Sequence, residues 1–174
     1  TRFKCDWSSD VCSSDLHPRP RGTITAIVTL PNANRCLLVR EQSLELWDWN
    51  SAETALEWAA HTAPISAVAC SADGLKIATV DRNGLLRIWN SSTREILHEV
   101  VLADGPKETI ECIVWHPNGL ELMLTTGDGQ LLRVDTEQGE QPTRQRVSSH
   151  ALTAQLHRSN QVLFLLGHDM SIFT

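Results

Sequence analysis

Three side chains in this sequence are of the types that nucleophilic catalysis uses, namely His61, Thr79 and Asp81. Such catalysis needs a hydroxyl or thiol beside a basic imidazole that an acidic group orients. Asp81 follows His61 by 20 residues, so the three can act together only if the fold brings two separate segments into contact. The elements that carry them therefore decide whether they form a catalytic site.

Histidine and cysteine side chains elsewhere could suggest a metal site. His150, His157 and His168 lie towards the end of the chain, and Cys112 and His116 lie before them. No pair among them has the Cys-x-x-Cys spacing or the helical spacing that chelation favours. We therefore predict no metal ligands and no cofactor in this chain.

A repeat with a period of just over forty residues sets the architecture. Three segments share the same order of short apolar runs and turns, and Trp47 and Trp89 end two of them, 42 residues apart. Asp135 ends the third segment, 46 residues after Trp89. Short β-branched and leucine-rich runs that alternate with Pro, Asn, Asp and Gly predict hairpin-linked strands and not helices. A period of this length is typical of blade-type repeats.

The repeat predicts an all-β fold, a β-propeller fragment of about three and a half four-stranded antiparallel blades. A single four-stranded sheet cannot bury both of its faces, so such sheets stack radially around an axis. Asp73-Gly74 and Asn118-Gly119 predict hairpin turns, because glycine tolerates the positive φ that tight turns require. The predicted blades cover residues 23–58, 65–101, 109–147 and, truncated, 152–174.

The first 16 residues differ in character from the repeats. Residues 6–16 resemble, residue for residue, the in-frame translation of a short-read sequencing adapter. We therefore predict that residues 1–16 are an artefactual leader without strand pairing or dense packing against the fold, and that residues 17–22 are a linker.

Composition narrows the class of partner. The chain carries 15 Lys and Arg against 21 Asp and Glu, a formal net charge of −6. Without a basic cluster or a run of about 18 apolar residues, we expect neither direct nucleic-acid binding nor membrane insertion. Cys36, Cys70 and Cys112 lie in apolar runs, where a thiol behaves as a small hydrophobic group and no disulfide framework is indicated. We expect a cytoplasmic or nuclear location.

The second segment resembles a WD repeat most closely, and the resemblance extends over residues 23–174. His61 precedes the first strand of that segment, Thr79 lies in the second strand, Asp81 in the following turn and Trp89 in the third strand. In that family these four positions form a hydrogen-bonded tetrad, so the resemblance implies a structural role for them and no catalytic residue. Asp81 would accept from His61, His61 would link to Thr79, and Trp89 would donate its indole N–H.

The other segments depart from the family pattern. The first ends in Trp47-Asp48 but has Glu41 near the turn position, and the third has Asp135 in place of the tryptophan and lacks the preceding histidine. Because these two blades lack part of the tetrad, we expect fewer side-chain hydrogen bonds within them than in the second blade. Strand alternation predicts that Trp47 and Trp115 pack between blades. Trp58, on an outer strand, is a possible partner contact.

The resemblance implies a non-catalytic protein–protein interaction scaffold that binds proteins or peptides through the loops at one end of its blades, because recognition residues concentrate on loops held by a rigid frame. The alternatives are a propeller module of a multidomain transport, coat or regulatory subunit, and an enzyme built on a propeller. The enzyme would need acidic or histidine side chains where the innermost strands start, and Ile24, Ile65, Ile110 and Leu152 stand there. The candidate partner-binding residues are Arg40, Gln42, Arg82, Asn83 and Asp128 in turns between the second and third strands, and Thr62, Asp104, Lys107 and Glu108 in the loops between blades.

Overall fold

The described part of the chain folds into strands and turns, without helix. A computed structural model describes residues 23–31, 34–50, 56–102, 109–137, 142–146, 151–157, 162–167 and 172–173. No helix among these residues is long and apolar enough to cross a membrane. The architecture is all-β and forms a partial β-propeller of about three blades.

Each blade is an antiparallel sheet whose strands pair in chain order. The first comprises β1 (Ala26–Thr29), β2 (Arg35–Val39), β3 (Ser43–Asp48) and β4 (Leu56–Ala59). The second comprises β5 (Ile65–Cys70), β6 (Lys76–Asp81), β7 (Leu85–Asn90) and β8 (Ile96–Val101). The third comprises β9 (Ile110–Trp115), β10 (Glu121–Thr126), β11 (Gln130–Asp135) and β12 (Thr143–Arg146). A further sheet has three described strands, β13 (Ala151–His157), β14 (Val162–Gly167) and β15 (Ile172–Phe173).

Two apolar layers hold neighbouring blades together. Leu37, Val39 and Leu44 of the first blade pack against Ile77 and Trp89 of the second. The opposite face of the second blade packs against the third in a larger cluster, whose fully buried members include Ala78, Val80, Leu86, Ile88, Leu122, Leu124, Leu132 and Val134. Alternate residues of each strand point to opposite faces, so the central strands of the second blade serve both layers.

The pairing register corrects the sequence alignment of the third blade. Trp89 pairs with Ile77 in the second blade, and the matching pair in the third blade is Val134 with Leu122. The prediction that Asp135 replaces the tryptophan was therefore wrong by one position. A valine stands there and cannot donate the hydrogen bond that an indole makes.

The register also corrects the first blade. Leu44 pairs with Val39, so the strand pairing stops just before Arg40, which takes the position that Asp81 has at the end of β6. Glu41 had been placed there from the sequence. A cation therefore stands at the turn of the first blade where the second blade has a carboxylate.

Candidate functional site

The tetrad residues of the second blade meet in one hydrogen-bonded network. His61 Nε2 lies 2.7 Å from Thr79 Oγ1, and His61 Nδ1 lies 3.2 Å from Asp81 Oδ2. The indole N–H of Trp89 donates to the same Thr79 hydroxyl at 2.9 Å. The network joins the loop before β5, the end of β6 and the end of β7, and all four side chains are buried.

The hydrogen-bond partners assign the tautomer of the neutral His61 ring. The Asp81 carboxylate can only accept, so the ring proton sits on Nδ1 and is donated to Asp81. His61 Nε2 is then the acceptor for the Thr79 hydroxyl, whose oxygen accepts the indole N–H of Trp89. Burial lowers the pKa of His61 below its usual value, while the Asp81 carboxylate acts in the opposite direction. The ring is neutral at physiological pH.

Asp81 connects this network to the turn that follows it. Its second carboxylate oxygen, Oδ1, accepts the backbone N–H groups of Asn83 at 2.9 Å and Leu85 at 3.0 Å. In the third blade Thr126 stands at the same position, and its hydroxyl accepts the backbone N–H of Gln130 at 3.0 Å. The turn is held in both blades, but only in the second is it also bonded to a histidine.

The geometry does not suit nucleophilic catalysis. Thr79 has no exposed surface, and its oxygen already accepts from Trp89 and donates to His61. A nucleophile needs open space for the substrate and a lone pair directed into it, and this hydroxyl has neither. The three residues that resemble a catalytic triad form buried hydrogen bonds that hold a loop against a turn.

Comparison with known proteins supports the same assignment. Residues 53–90 match the family described as WD domain, G-beta repeat. The chain is 30% identical over 84 residues, 48% of its own length, to the human Angio-associated migratory cell protein. It is 27% identical over 116 residues, 66% of its own length, to rat Transducin beta-like protein 3. These matches span only 18% and 13% of the two relatives.

The chain contains a WD repeat at residues 53–90. The matched WD repeat starts before β4 and ends with β7, so one repeat of sequence supplies the last strand of the first blade and three strands of the second. All four tetrad residues lie inside it. Because the repeat begins one strand before the blade does, consecutive blades are joined by a shared repeat of sequence as well as by packing.

Exposed side chains lie at the same end of the blades as the tetrad. Of the predicted partner-binding residues, those that are exposed in the described chain are Gln42, Thr62, Arg82, Asn83 and Asp128. Asp104, Lys107 and Glu108 lie outside the described residues. A hydrogen bond from the Thr126 hydroxyl, at 2.5 Å, is the main cause that lowers the pKa of Asp128 below its usual value, so that carboxylate is ionised at neutral pH.

Arg40 differs from the other predicted contact residues because it is buried. Only 3% of it is exposed, and its guanidinium donates to Glu45 Oε2 at 2.6 Å and 3.1 Å. The prediction of an exposed Arg40 was wrong, since the position matches that of buried Asp81. A cation at this depth needs the paired carboxylate.

The tryptophans fall into two groups. Trp115 packs between the second and third blades and donates its indole N–H to the Ala69 carbonyl oxygen at 3.3 Å, as predicted from strand alternation. Trp47 was predicted to pack in the same way, but it is 41% exposed on the face of the first blade that points away from the second. Trp58 contacts Trp89 edge to face with ring centroids 6.3 Å apart, so its indole belongs largely to the core and is a poor partner contact.

Metal-ligating and thiol chemistry find no support in the described residues. Among them, no three His, Cys, Asp or Glu side chains form a group that could hold a metal ion. Cys36, Cys70 and Cys112 are free thiols. Burial raises the pKa of Cys70 to about 11, so this thiol stays protonated and behaves as an apolar side chain.

Proposed function

We propose that this protein is a non-catalytic scaffold that binds other proteins or peptides as a subunit of a multiprotein complex. The observation that carries the proposal is a row of exposed polar side chains on turns whose backbone N–H groups are held by hydrogen bonds to residues beneath the surface. The WD repeat at residues 53–90 supports a protein-interaction module in general. The scaffold role within a complex is the further step.

The turn between β6 and β7 illustrates how binding residues would be held. Arg82 and Asn83 are exposed at its tip, while buried Asp81 accepts two backbone N–H groups of the same turn. The backbone N–H of Arg82 also donates to the Pro64 carbonyl oxygen of the neighbouring loop at 2.9 Å. Because the backbone is already ordered, a partner that contacts these side chains loses little conformational entropy from this turn.

A concave surface adjoins this row of side chains. A cavity of about 380 Å³ opens at the same end of the first blade and is lined by Gln42, Glu41, Ser43 and His61, among others. A volume of this size holds a few side chains of a peptide but not a folded domain. The cavity and the exposed turns together suit a peptide segment that runs across the blade ends.

Affinity purification of the intact protein with paired variants tests the proposal. We expect Arg82→Ala combined with Asn83→Ala to lose partners that the wild type retains, because both side chains are exposed at the proposed binding edge. The matched control is Ser92→Ala combined with Glu137→Ala, two exposed residues in turns at the opposite end of the blades. Equal recovery of partners with both double variants would show that the edge is not the binding surface.

We further propose that the protein acts in the cytoplasm or nucleus. Free thiols at Cys36, Cys70 and Cys112 suit a reducing compartment. Imaging of a fluorescently tagged intact protein tests this proposal, and signal confined to the secretory pathway would contradict it.

A further inference from the structure

The second blade ends in a strand whose outer edge is unpaired. Within its described sheet, β8 pairs with β7 alone, and Leu102, the residue after β8, donates its N–H to the Gly84 carbonyl oxygen at 2.8 Å. Hydrogen-bonded and non-hydrogen-bonded pairs alternate along an antiparallel ladder, so Glu99 and Val101 direct their N–H and C=O groups away from β7. In the described part of the chain these four backbone groups bond to no other residue.

Apolar side chains line this edge. Val101 is 63% exposed, and Ile96 and Leu97 are 45% and 41% exposed. The second blade packs against a described neighbour on each of its two faces, so this exposure belongs to the outer rim and not to a face that another blade covers. The last strand of the third blade, β12, reads Thr-Arg-Gln-Arg, and charged side chains of this kind keep an edge from pairing. The edge of β8 lacks that protection.

Glu99 gives the edge an acidic centre. Its Oε2 accepts from Arg87 Nε at 2.8 Å, and 47% of the glutamate side chain stays exposed. Arg87 also donates to the carbonyl oxygen of Ala60 at 2.6 Å, so its guanidinium is shared between two acceptors. Val101, two residues along the strand, lies on the same face as Glu99. A half-exposed carboxylate beside an exposed apolar side chain suits a cation that is flanked by apolar residues.

The charge of Glu99 disfavours a second copy of this chain at the edge. In the symmetric antiparallel register centred on Glu99, which pairs most of β8 with its copy, the two Glu99 carboxylates stand directly opposite each other. Like charges at that position destabilise a strand pair. A different chain that places a lysine or arginine opposite Glu99 gains a cross-strand ion pair instead.

We propose that the outer edge of β8 binds an extended segment of a partner protein as an added antiparallel strand. A lysine or arginine of that segment pairs with Glu99, and β-branched residues two positions to either side cover Leu97 and Val101. Main-chain hydrogen bonds supply affinity in such strand addition, and alternate side chains supply specificity. The edge lies on the outer rim, whereas the proposed scaffold edge consists of turns at one end of the blades, so the two surfaces can be tested separately.

Titration of the intact protein with synthetic peptides tests the proposal. The probe is acetyl-Thr-Val-Thr-Lys-Thr-Val-Thr-amide, and one control peptide has glutamate in place of lysine. Two further peptides carry a single backbone N-methyl group, either on the lysine, whose N–H faces β8 in the proposed register, or on the threonine after it, whose N–H faces away. We expect the probe to slow hydrogen exchange at the N–H groups of Glu99 and Val101. The peptide methylated on lysine should bind at least about fivefold more weakly than the one methylated on threonine.

Variants of the strand provide the matching comparison in the protein. We expect Glu99→Gln to weaken binding of the probe about threefold and Val101→Lys about fivefold. The matched control is Leu75→Lys, which should leave binding unchanged, since Leu75 is 60% exposed but lies in the turn before β6. The melting temperature of each variant checks that the fold is intact.

Three results would overturn the proposal. The first is a lysine peptide that does not bind, or that binds no better than the glutamate peptide. The second is equal binding of the two N-methyl peptides, which means that side chains alone make the contact. The third is self-association of the wild type that Val101→Lys abolishes, since the edge then binds a second copy of the chain. Arg82→Ala combined with Asn83→Ala should leave peptide binding unchanged, so failure of the scaffold proposal is measured independently.

Discussion

At the scale of single residues, Asp81 bonds the most separate elements. One oxygen accepts from the His61 ring and the other accepts from two backbone N–H groups of the turn. Removal of the carboxylate therefore leaves the buried His61 ring N–H and two part-buried backbone N–H groups without an acceptor. Because each unsatisfied buried group carries a desolvation penalty, we regard this residue as the most sensitive point of the second blade.

Asp81→Ala should lower the free energy of unfolding by about 1–3 kcal/mol, measured by thermal or chemical denaturation of the intact protein. Asp128→Ala is the matched control, since Asp128 stands in the equivalent turn of the third blade but is exposed and water can replace its contacts. Partner binding at a permissive temperature should persist in the Asp81→Ala variant. An Asp81→Ala protein of unchanged stability that has lost an activity would instead favour the triad-like chemistry.

The neutral state of His61 predicts that acid destabilises the fold. Its pKa in the folded protein lies below the value of 6.5 that it takes when unfolded, chiefly through burial. The unfolded chain therefore binds this proton more readily, and stability that is fully present above pH 6.5 is lost as the pH falls towards the folded pKa. The free energy of unfolding should fall by at most about 1.4 kcal/mol per pH unit from this group. Urea titrations between pH 5 and 7 measure the slope.

Replacing the His61 ring tests whether it causes this dependence of stability on pH. His61→Gln removes the titrating ring and should flatten the dependence of stability on pH, although it also lowers stability at every pH. The wild-type protein, measured over the same pH range, is the reference. A His61→Gln protein with an unchanged slope would assign the acid sensitivity to another group.

At the scale of elements, two glycine turns offer a matched comparison. Gly74 and Gly119 occupy equivalent turns and have φ angles of +74° and +71°, a region that strains alanine. A Cβ on Gly74 would come within 2.8 Å of the Pro31 carbonyl oxygen of the first blade, whereas a Cβ on Gly119 would meet nothing within 4 Å. Gly74→Ala should therefore cost about 1–3 kcal/mol more than Gly119→Ala in denaturation experiments. Equal losses would mean that only the backbone strain matters.

The strands could be predicted from the sequence because they depend on short-range patterns of apolar runs and hairpin glycines. The four tetrad positions followed from the resemblance of the second segment to a WD repeat. The burial of Arg40 and the exposure of Trp47 could not be predicted in this way, since both depend on which face of the first blade is covered. The position of Val134 required the strand register, because β11 ends in Asp135 and the sequence alone does not separate neighbouring residues of a strand.

At the scale of the whole molecule, contacts between blades combine a repeated apolar layer with directed hydrogen bonds, and at two junctions an arginine donates one of these to a backbone carbonyl of the preceding blade. The apolar layer follows from the alternation of each strand and is visible in the sequence. The hydrogen bond from the arginine is not visible in the sequence, because Arg87 and Arg144 occupy different strands and no alignment places them together. Their shared target is a backbone carbonyl whose position is fixed by the fold, so equivalent contacts can arise from unequal sequence positions.

This arrangement predicts that each arginine stabilises its own blade junction locally. Arg87→Met keeps an apolar stem but removes the donor to Ala60, and Arg144→Met does the same for Leu102. Loss of a charged hydrogen bond of this kind should increase local opening about fivefold. Hydrogen exchange at single amides measures it through the N–H groups of Ala60 and Leu102, which donate to the preceding turns at 2.9 Å and 2.8 Å.

We expect reciprocal effects in the two variants. Arg87→Met should accelerate exchange at Ala60 and leave Leu102 protected, and Arg144→Met should do the reverse, because Arg87 donates to the Ala60 carbonyl and Arg144 to the Leu102 carbonyl. The double variant should show both effects in full, since the junctions are separated by an entire blade and distant sites add independently. If either single variant accelerated exchange equally at both amides, the blades would open as one cooperative unit and the arginines would not act as local bonds.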